Sequence, residues 1–292
     1  QSWNNTESNP YGVMDYTTRN RNSSQGLFGD VYIQAEPIKG LKFRSSLGVN
    51  YTANQSHGYT PVYHLSIYAF NDTSKVSQSM GNGLTLQFDN LLSYDFNVAN
   101  DHHFSVMAGS SSLKTKTVNI SGNNWYLRVA DLQHAYLSVA QNVNRGAPYM
   151  SVSGGPTENA LLSYFGRLQY DFREKYLLNI TFRSDGSSRF APGHRWGYFP
   201  SVSAGWVTTM EDFMQGAHWL NFLKIRGSWG RVGNQNVAAY QYLSPISFSN
   251  TAYIFGPVEG ANTQGAFPSR IANPDVKWET SEQTNIGFDA TV

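Results

Sequence analysis

The chain of 292 residues carries 14% charged and 14% aromatic side chains, a net charge of +1 and no cysteine. That charge content lies well below the roughly 25% of ordinary soluble domains, the balance offers no electrostatic footprint for nucleic acid, and disulfides and thiolate metal sites are excluded. No apolar run approaches the roughly 18 residues of a membrane helix, so the composition suits a wall in which only alternate residues meet lipid.

Gln1 opens on polar residues with no leader pattern, which gives the expectation of a mature start or a start inside a longer polypeptide. Gln1 to Gln25, rich in Asn, Ser, Thr and Arg, reads as loop. Leu27 to Glu36 then alternates Leu27, Val31, Ile33 and Ala35 with Asp30, Gln34 and Glu36, the period of a strand. Pro37 to Gly40 makes a short turn. The return strand sets Leu41, Phe43, Leu47, Val49 and Tyr51 against Lys42, Arg44, Ser46 and Asn50. Thr52 to Gly83 reads as a long connection. Leu84 to Val98 is strand again, with Leu86, Phe88, Leu92, Tyr94 and Phe96 on one face, and a turn at Asn100 to His102 leads to a weaker strand from Phe104 towards Thr117. Val118 to Ala160 is a second long connection.

The clearest alternation follows. Leu162, Tyr164, Leu168, Tyr170 and Phe172 face away from Ser163, Arg167, Gln169 and Asp171, and a tight turn at Arg173-Glu174 follows. Tyr176, Leu178, Ile180 and Phe182 then oppose Lys175, Asn179, Thr181 and Arg183. After a Gly/Ser/Pro loop from Asp185 to Gly193, Tyr198, Val202, Ala204 and Trp206 alternate with Ser201, Ser203 and Gly205. Met210 to Asn221 has room for a helical turn. Leu223, Ile225, Gly227 and Trp229 alternate with Lys224, Arg226 and Ser228; Val232 to Asp275 is a third long connection; and a last strand carries Thr284, Ile286, Phe288, Ala290 and Val292 on one face. Strands of roughly ten residues with aromatic ends, joined alternately by short turns and long loops, predict an all-β, antiparallel transmembrane β-barrel wall whose long loops are extracellular.

Five blocks also resemble the barrel of SusC-like (SusC/RagA-type) TonB-dependent outer-membrane transporters: LFGDVYIQAEPIKGLKFRSSLGVNY from Leu27, SYFGRLQYDFREKYLLNITFRSDGSSRF from Ser163, RWGYFPSVSAGW from Arg195, LKIRGSWGRVGNQ from Leu223 and NPDVKWETSEQTNIGFD from Asn273. The resemblance implies a place in the bacterial outer membrane, in contact with membrane lipid. It also implies energised import of oligosaccharides or peptides, a SusD-type surface lipoprotein as partner, and coupling to the TonB complex. About nine strands are expected here, against about 22 in plugged outer-membrane transporters. Residues 1–292 are therefore expected to be part of a single barrel domain, with the plug, the TonB-binding segment and the closing strands elsewhere.

No catalytic motif is present: there is no nucleophile elbow, no HExxH and no phosphate loop, so neither enzyme activity nor a cofactor is expected. His102-His103 sit in a predicted turn and suit solvent better than metal. The aromatic residues in or beside the predicted outer loops, Trp125, Tyr126, Tyr149, Trp196 and Tyr253, are the candidate ligand-binding group, because exposed rings stack on sugar faces and peptide side chains. The bland alternative is that they pack the loops or join the interfacial girdle. Lumen-facing Arg167, Arg183, Lys224, Arg226, Lys42 and Arg44 are expected to be ion-paired with carboxylates of the plug or of neighbouring strands rather than to contact ligand. A soluble all-β carbohydrate-binding module and a secreted β-sandwich hydrolase are the competing readings; the first would need Tyr164, Leu168, Ile180 and Phe182 as its core, and the second lacks a recognisable acid/base pair.

Overall fold

The computed structural model describes residues 10–17, 20–99, 101–129, 131–140, 150–214, 216, 219–248, 252–254 and 262–292, with backbone only for residues 17, 252–254 and 262–264. Nine strands form one sheet: β1 (Asn20–Ile38), β2 (Leu41–Thr60), β3 (Lys75–Val98), β4 (His102–Trp125), β5 (Met150–Phe172), β6 (Tyr176–Ser187), β7 (Trp196–Val207), β8 (Phe222–Asn234) and β9 (Glu279–Thr291). Their order in the sheet is their order in the chain, with β1 and β9 at its two edges. Chain contacts group into two units, one of Gln1–Asp30, Gly48–Leu86 and Thr115–Glu158, the other of Val31–Leu47, Gln87–Lys114 and Asn159–Val292.

In the second unit the antiparallel registers join the alternating faces across strands. Leu168 lies opposite Ile180, and Ile180 opposite Val202. Val202 pairs with Trp229, and Trp229 with Thr284. One level down, Tyr170, Leu178, Ala204, Gly227 and Ile286 form the same kind of row. Because the side-chain period is two, a one-residue slip would turn every such row over. The apolar residues remain uncovered: Tyr164 is 51% exposed and Phe288 72%. A soluble β module would bury this face; a wall offers it to lipid.

The short turns are built without slack. Arg173 and Glu174 both have positive φ, +52° and +57°, and Lys175 N–H closes on Phe172 O at 2.9 Å, the geometry of a type I′ hairpin turn that glycine or asparagine usually occupies. Gly40, at φ +84°, lies against the Asp95 carbonyl, where a Cβ has no room. Between β7 and β8 the expected helical turn is present as two 3-10 turns, Thr208–Met210 and Asp212–Met214.

That connection is held by Glu211. Its carboxylate accepts from Tyr176 Oη at 2.6 Å, Trp206 Nε1 at 3.0 Å and Lys175 Nζ at 3.0 Å. The hydrogen bonds from Tyr176, Trp206 and Lys175, in that order of weight, lower its pKa from 4.5 to about 2. A carboxyl whose pKa is depressed on folding contributes stability above its unfolded value and loses it as pH falls through the folded one. Comparing full-length wild type with Glu211→Gln, the difference in unfolding midpoint is expected to be constant above about pH 4.5 and to vanish towards pH 2. A difference independent of pH across that window would assign the residue no electrostatic role.

The structure corrects three sequence expectations about extent. Gln1 to Gln25 is not all loop: a helix spans Pro10–Thr17 and β1 begins at Asn20. Pro10 suits the first helical turn, and Tyr16 stacks on Tyr63 of the small Tyr63–His64/Phe70–Asn71 hairpin at 5.3 Å. The first five strands are longer than read, 19 to 24 residues, which shortens the first two long connections to residues 61–74 and 126–149. The third runs over 235–278. The physical reason is shared: stretches such as Thr52 to Ser56 or Ser121 to Asn124 are polar on both faces, so pairing continues where no apolar alternation marks it.

Candidate functional site on the polar face

Opposite the apolar rows, the same registers build a polar ladder across five strands: Gln169, Asn179, Ser203, Ser228 and Asn285. Asp171, Leu177, Gly205, Arg226 and Gly287 form the level below it. The small residues leave a groove of about 490 Å³ along these two levels, extending to His103 and Ser105 of β4. At Gly205 the Lys224 stem crosses close to the backbone, and a Cβ there would stand 2.9 Å from Lys224 Cε and displace the end of that side chain. The groove presents carboxamides, hydroxyls and cations, which hydrogen-bond to hydroxyl, amide or carboxylate groups.

Cations on this face are used unequally. Arg183 holds Asp185 through Nε at 2.8 and 2.9 Å and reaches buried Ser163 Oγ at 3.1 Å. Arg226 pairs with Asp289 at 3.2 Å. Arg44 stacks over the Tyr32 ring at 4.1 Å. Lys224 has no ion-pair partner among the described residues, and the buried Nε of Arg167 and Oδ1 of Asn179 have no hydrogen-bond partner there. Ion pairing within the described residues thus holds for Arg183 and Arg226; Lys42, Arg44, Arg167 and Lys224 have no carboxylate partner among them, and Asp289, which lies opposite Lys224 in register, is taken by Arg226.

Side chains are described for three of the candidate aromatics, Trp125, Tyr126 and Trp196. Trp125 ends β4 with Lys75 over its ring at 5.1 Å. Tyr126 follows at φ +61°, its N–H bonded to Ser74 O at 2.9 Å. Trp196 belongs to the other unit and stacks on Tyr164 at 6.0 Å, on the apolar face. Tyr149 lies outside the described residues, and Tyr253 lies in the short Ala252–Ile254 strand, of which only the backbone is described. Two rings with defined contacts went unread in the sequence: Tyr136, stacked on His57 at 5.1 Å, and Trp278, which meets Phe190 at 5.4 Å and Phe199 at 5.3 Å. Neither lies in an alternating stretch that would have drawn notice. His102 and His103 do point to different neighbours, His102 Nδ1 to Tyr170 Oη at 2.7 Å and His103 Nδ1 to Asn97 Oδ1 at 2.6 Å.

The family described as TonB dependent receptor-like, beta-barrel matches residues 1–291. The chain belongs to that family. Its members reside in the outer membrane, which is where the uncovered apolar rows find their solvent. This TonB-dependent receptor barrel sequence is 28% identical over 280 residues to a TonB-dependent receptor of Formosa agariphila, covering 94% of this chain and 25% of that protein. It is 38% identical over 136 residues to the TonB-dependent receptor SusC of Bacteroides thetaiotaomicron, covering 46% of this chain and 13% of that protein. The solved RagAB peptide transporter matches with a TM-score of 0.76 and 24% identity over 96% of this chain and 29% of that chain, a likeness of fold. The chain thus spans about a quarter of the length of the first of these curated relatives.

Proposed function

We propose that residues 1–292 form part of a single barrel domain in an outer-membrane importer of oligosaccharides or peptides. In this reading the importer works with a SusD-like surface lipoprotein outside and the TonB complex inside, and does no chemistry on its solute. The observation that carries the reading is the in-register sheet with one uncovered apolar face and one polar face. Such a surface is a lipid boundary on one side and a wetted wall on the other. The polar ladder and unpaired Lys224 serve as wall contacts for hydroxyl- or amide-rich groups, and Trp125 with the adjacent Tyr126 supplies rings for stacking at the outer end; Tyr149 and Tyr253 belong to the same candidate group, whereas Trp196, stacked on Tyr164 on the apolar face, does not. The lipoprotein would rest on the connections at residues 61–74, 126–149 and 235–278, since the short turns lie at the other strand ends.

The test uses the full-length protein in cells, with labelled oligosaccharides and labelled peptides as alternative solutes. Trp125→Ala and Lys224→Ala are expected to lower uptake of one class by about tenfold, the effect of some 1.4 kcal/mol, and removal of residues 61–74 to reduce recovery of the lipoprotein. Unchanged uptake of both classes by both variants would overturn the assignment of these wall contacts.

A further inference from the structure

The face opposite the polar one carries a second concavity, within the unit of Gln1–Asp30, Gly48–Leu86 and Thr115–Glu158. Cross-strand bonds sort its faces. Ser24 Oγ donates to Asn54 Oδ1 at 2.7 Å, the Thr85 and Thr115 hydroxyls meet at 3.1 Å, and those of Ser121 and Ser153 at 2.8 Å. These share the polar side with Lys75 and Trp125. The alternate positions point the other way, as do Leu27, Tyr51, Leu84 and Leu86 further along the same strands.

Onto that other side the connection after β4 folds back. Tyr59 and Val76 form a core with Ala135, supported by Leu127, Val129, Leu132 and Leu137. Asn124 Nδ2 donates to Leu137 O at 3.1 Å, Leu137 N–H to Gln78 Oε1 at 3.2 Å, and His57 Nε2 to Ala135 O at 2.5 Å. A Cβ on Gly122 would stand 2.9 Å from Leu137 Cδ1, so the flap rests directly on the strand. It leaves a groove of about 620 Å³ whose lining includes Arg21, Gln55, Gln78, Met80, Ile120 and Tyr136, within the range of small-ligand sites.

The chemistry and the position agree. Tyr136 offers a ring that is 47% exposed. Gln78 has spent its oxygen on the flap, and its amide N–H groups are left for the groove. Arg21 has no ion-pair partner among the described residues. Met80 and Ile120 make an apolar floor. A ring over an apolar floor, rimmed by carboxamides and a guanidinium, is suited to a sugar face with hydroxyl and acidic substituents. On β4 the Lys116–Glu158 pair, at 3.1 Å, lies on the same side as Ile120, and charges on this side belong outside the hydrocarbon. Ile120 comes four residues beyond Lys116, on the order of 13 Å along a strand at about 3.3 Å per residue.

We propose that this groove is a saccharide site on the outer side of the wall, apart from the solute path, taking acidic, hydroxyl-rich sugars from the cell-surface layer. The test measures binding by the full-length protein in nanodiscs. One probe is glycolipid extracted from the outer membrane of the source bacterium, and the other is the same saccharide freed of its acyl chains. Arg21→Gln, which disturbs none of the flap contacts above, and Tyr136→Ala are each expected to weaken binding about tenfold, with Arg21→Gln leaving solute uptake unchanged. Binding of the glycolipid alone would identify a lipid-anchored ligand, and equal binding of the freed saccharide a soluble one; both support the site. Absence of saturable binding to either probe, or equal affinity of wild type and Arg21→Gln, would overturn it.

Discussion

Arginine at position 180 is expected to cost the full-length protein far more than arginine at position 181. Ile180 is 41% exposed and sits in the apolar row between Leu168 and Val202. Thr181 lies one residue on, between Arg167 and Ser201, on the polar side. A lipid-facing arginine near the bilayer midplane costs roughly 2–4 kcal/mol, while a lumen-facing one finds water and polar neighbours. Folding titrations of Ile180→Arg and Thr181→Arg in lipid vesicles separate the two. Equal penalties would mean that both faces are closed cores, which the membrane assignment does not survive.

The second large effect is expected at Phe190. This ring is fully buried against Trp278, whose indole N–H donates to Arg195 O at 2.8 Å. Phe199 meets the same indole edge-on at 5.3 Å and fits over Gly197, where a Cβ would stand 2.5 Å from Phe199 Cζ and 2.9 Å from Trp278 Cγ. Three rings thus clamp the β6–β7 connection to the stretch that enters β9. Phe190→Ala opens a cavity that flanking strands, fixed by their ladders, have little freedom to fill, so the expected loss is about 3–5 kcal/mol. Denaturant unfolding of the full-length protein measures it. A loss under about 1 kcal/mol would show that the clamp closes over the gap.

The strands read most clearly from the sequence were those whose two faces meet different solvents. Within the strands between Leu162 and Trp206 the apolar residues recur at alternate positions because lipid and water lie on opposite sides, and all nine strands of the sheet were legible on that basis. What stayed hidden was structure without such a contrast. Asn20 to Gln25 and Ser153 to Glu158 pair as strand while carrying polar or small side chains on both faces, so period two leaves little trace there. The candidate site divided in the same way. The polar ladder was visible as the second face of each strand, whereas its registration and the orphaned atoms of Arg167 and Asn179 depend on partners far apart in sequence. Trp196 shows the limit of reading loop aromatics by position: only the stacking on Tyr164 assigns its side of the sheet. Tyr136 was passed over because nothing local announces that its connection turns back onto His57.

The length of β3 and β4, 24 residues each, bears on how such a protein can change over evolutionary time. About ten residues suffice to cross the hydrocarbon, so more than half of each strand is exposed to the environment that selects surface variation. Yet those residues are tied to neighbours by ladder bonds, and adding or removing one would turn its strand's remaining side chains over. Point substitution is therefore the open route there, at polar positions that make no contact of the kind Gln78 and Asn124 make with the flap. Insertions and deletions are confined to the connections between strands, such as 61–74, where they leave the nine-stranded ladder unbroken. New recognition properties can then arise by lengthening those connections while the wall beneath them keeps its count.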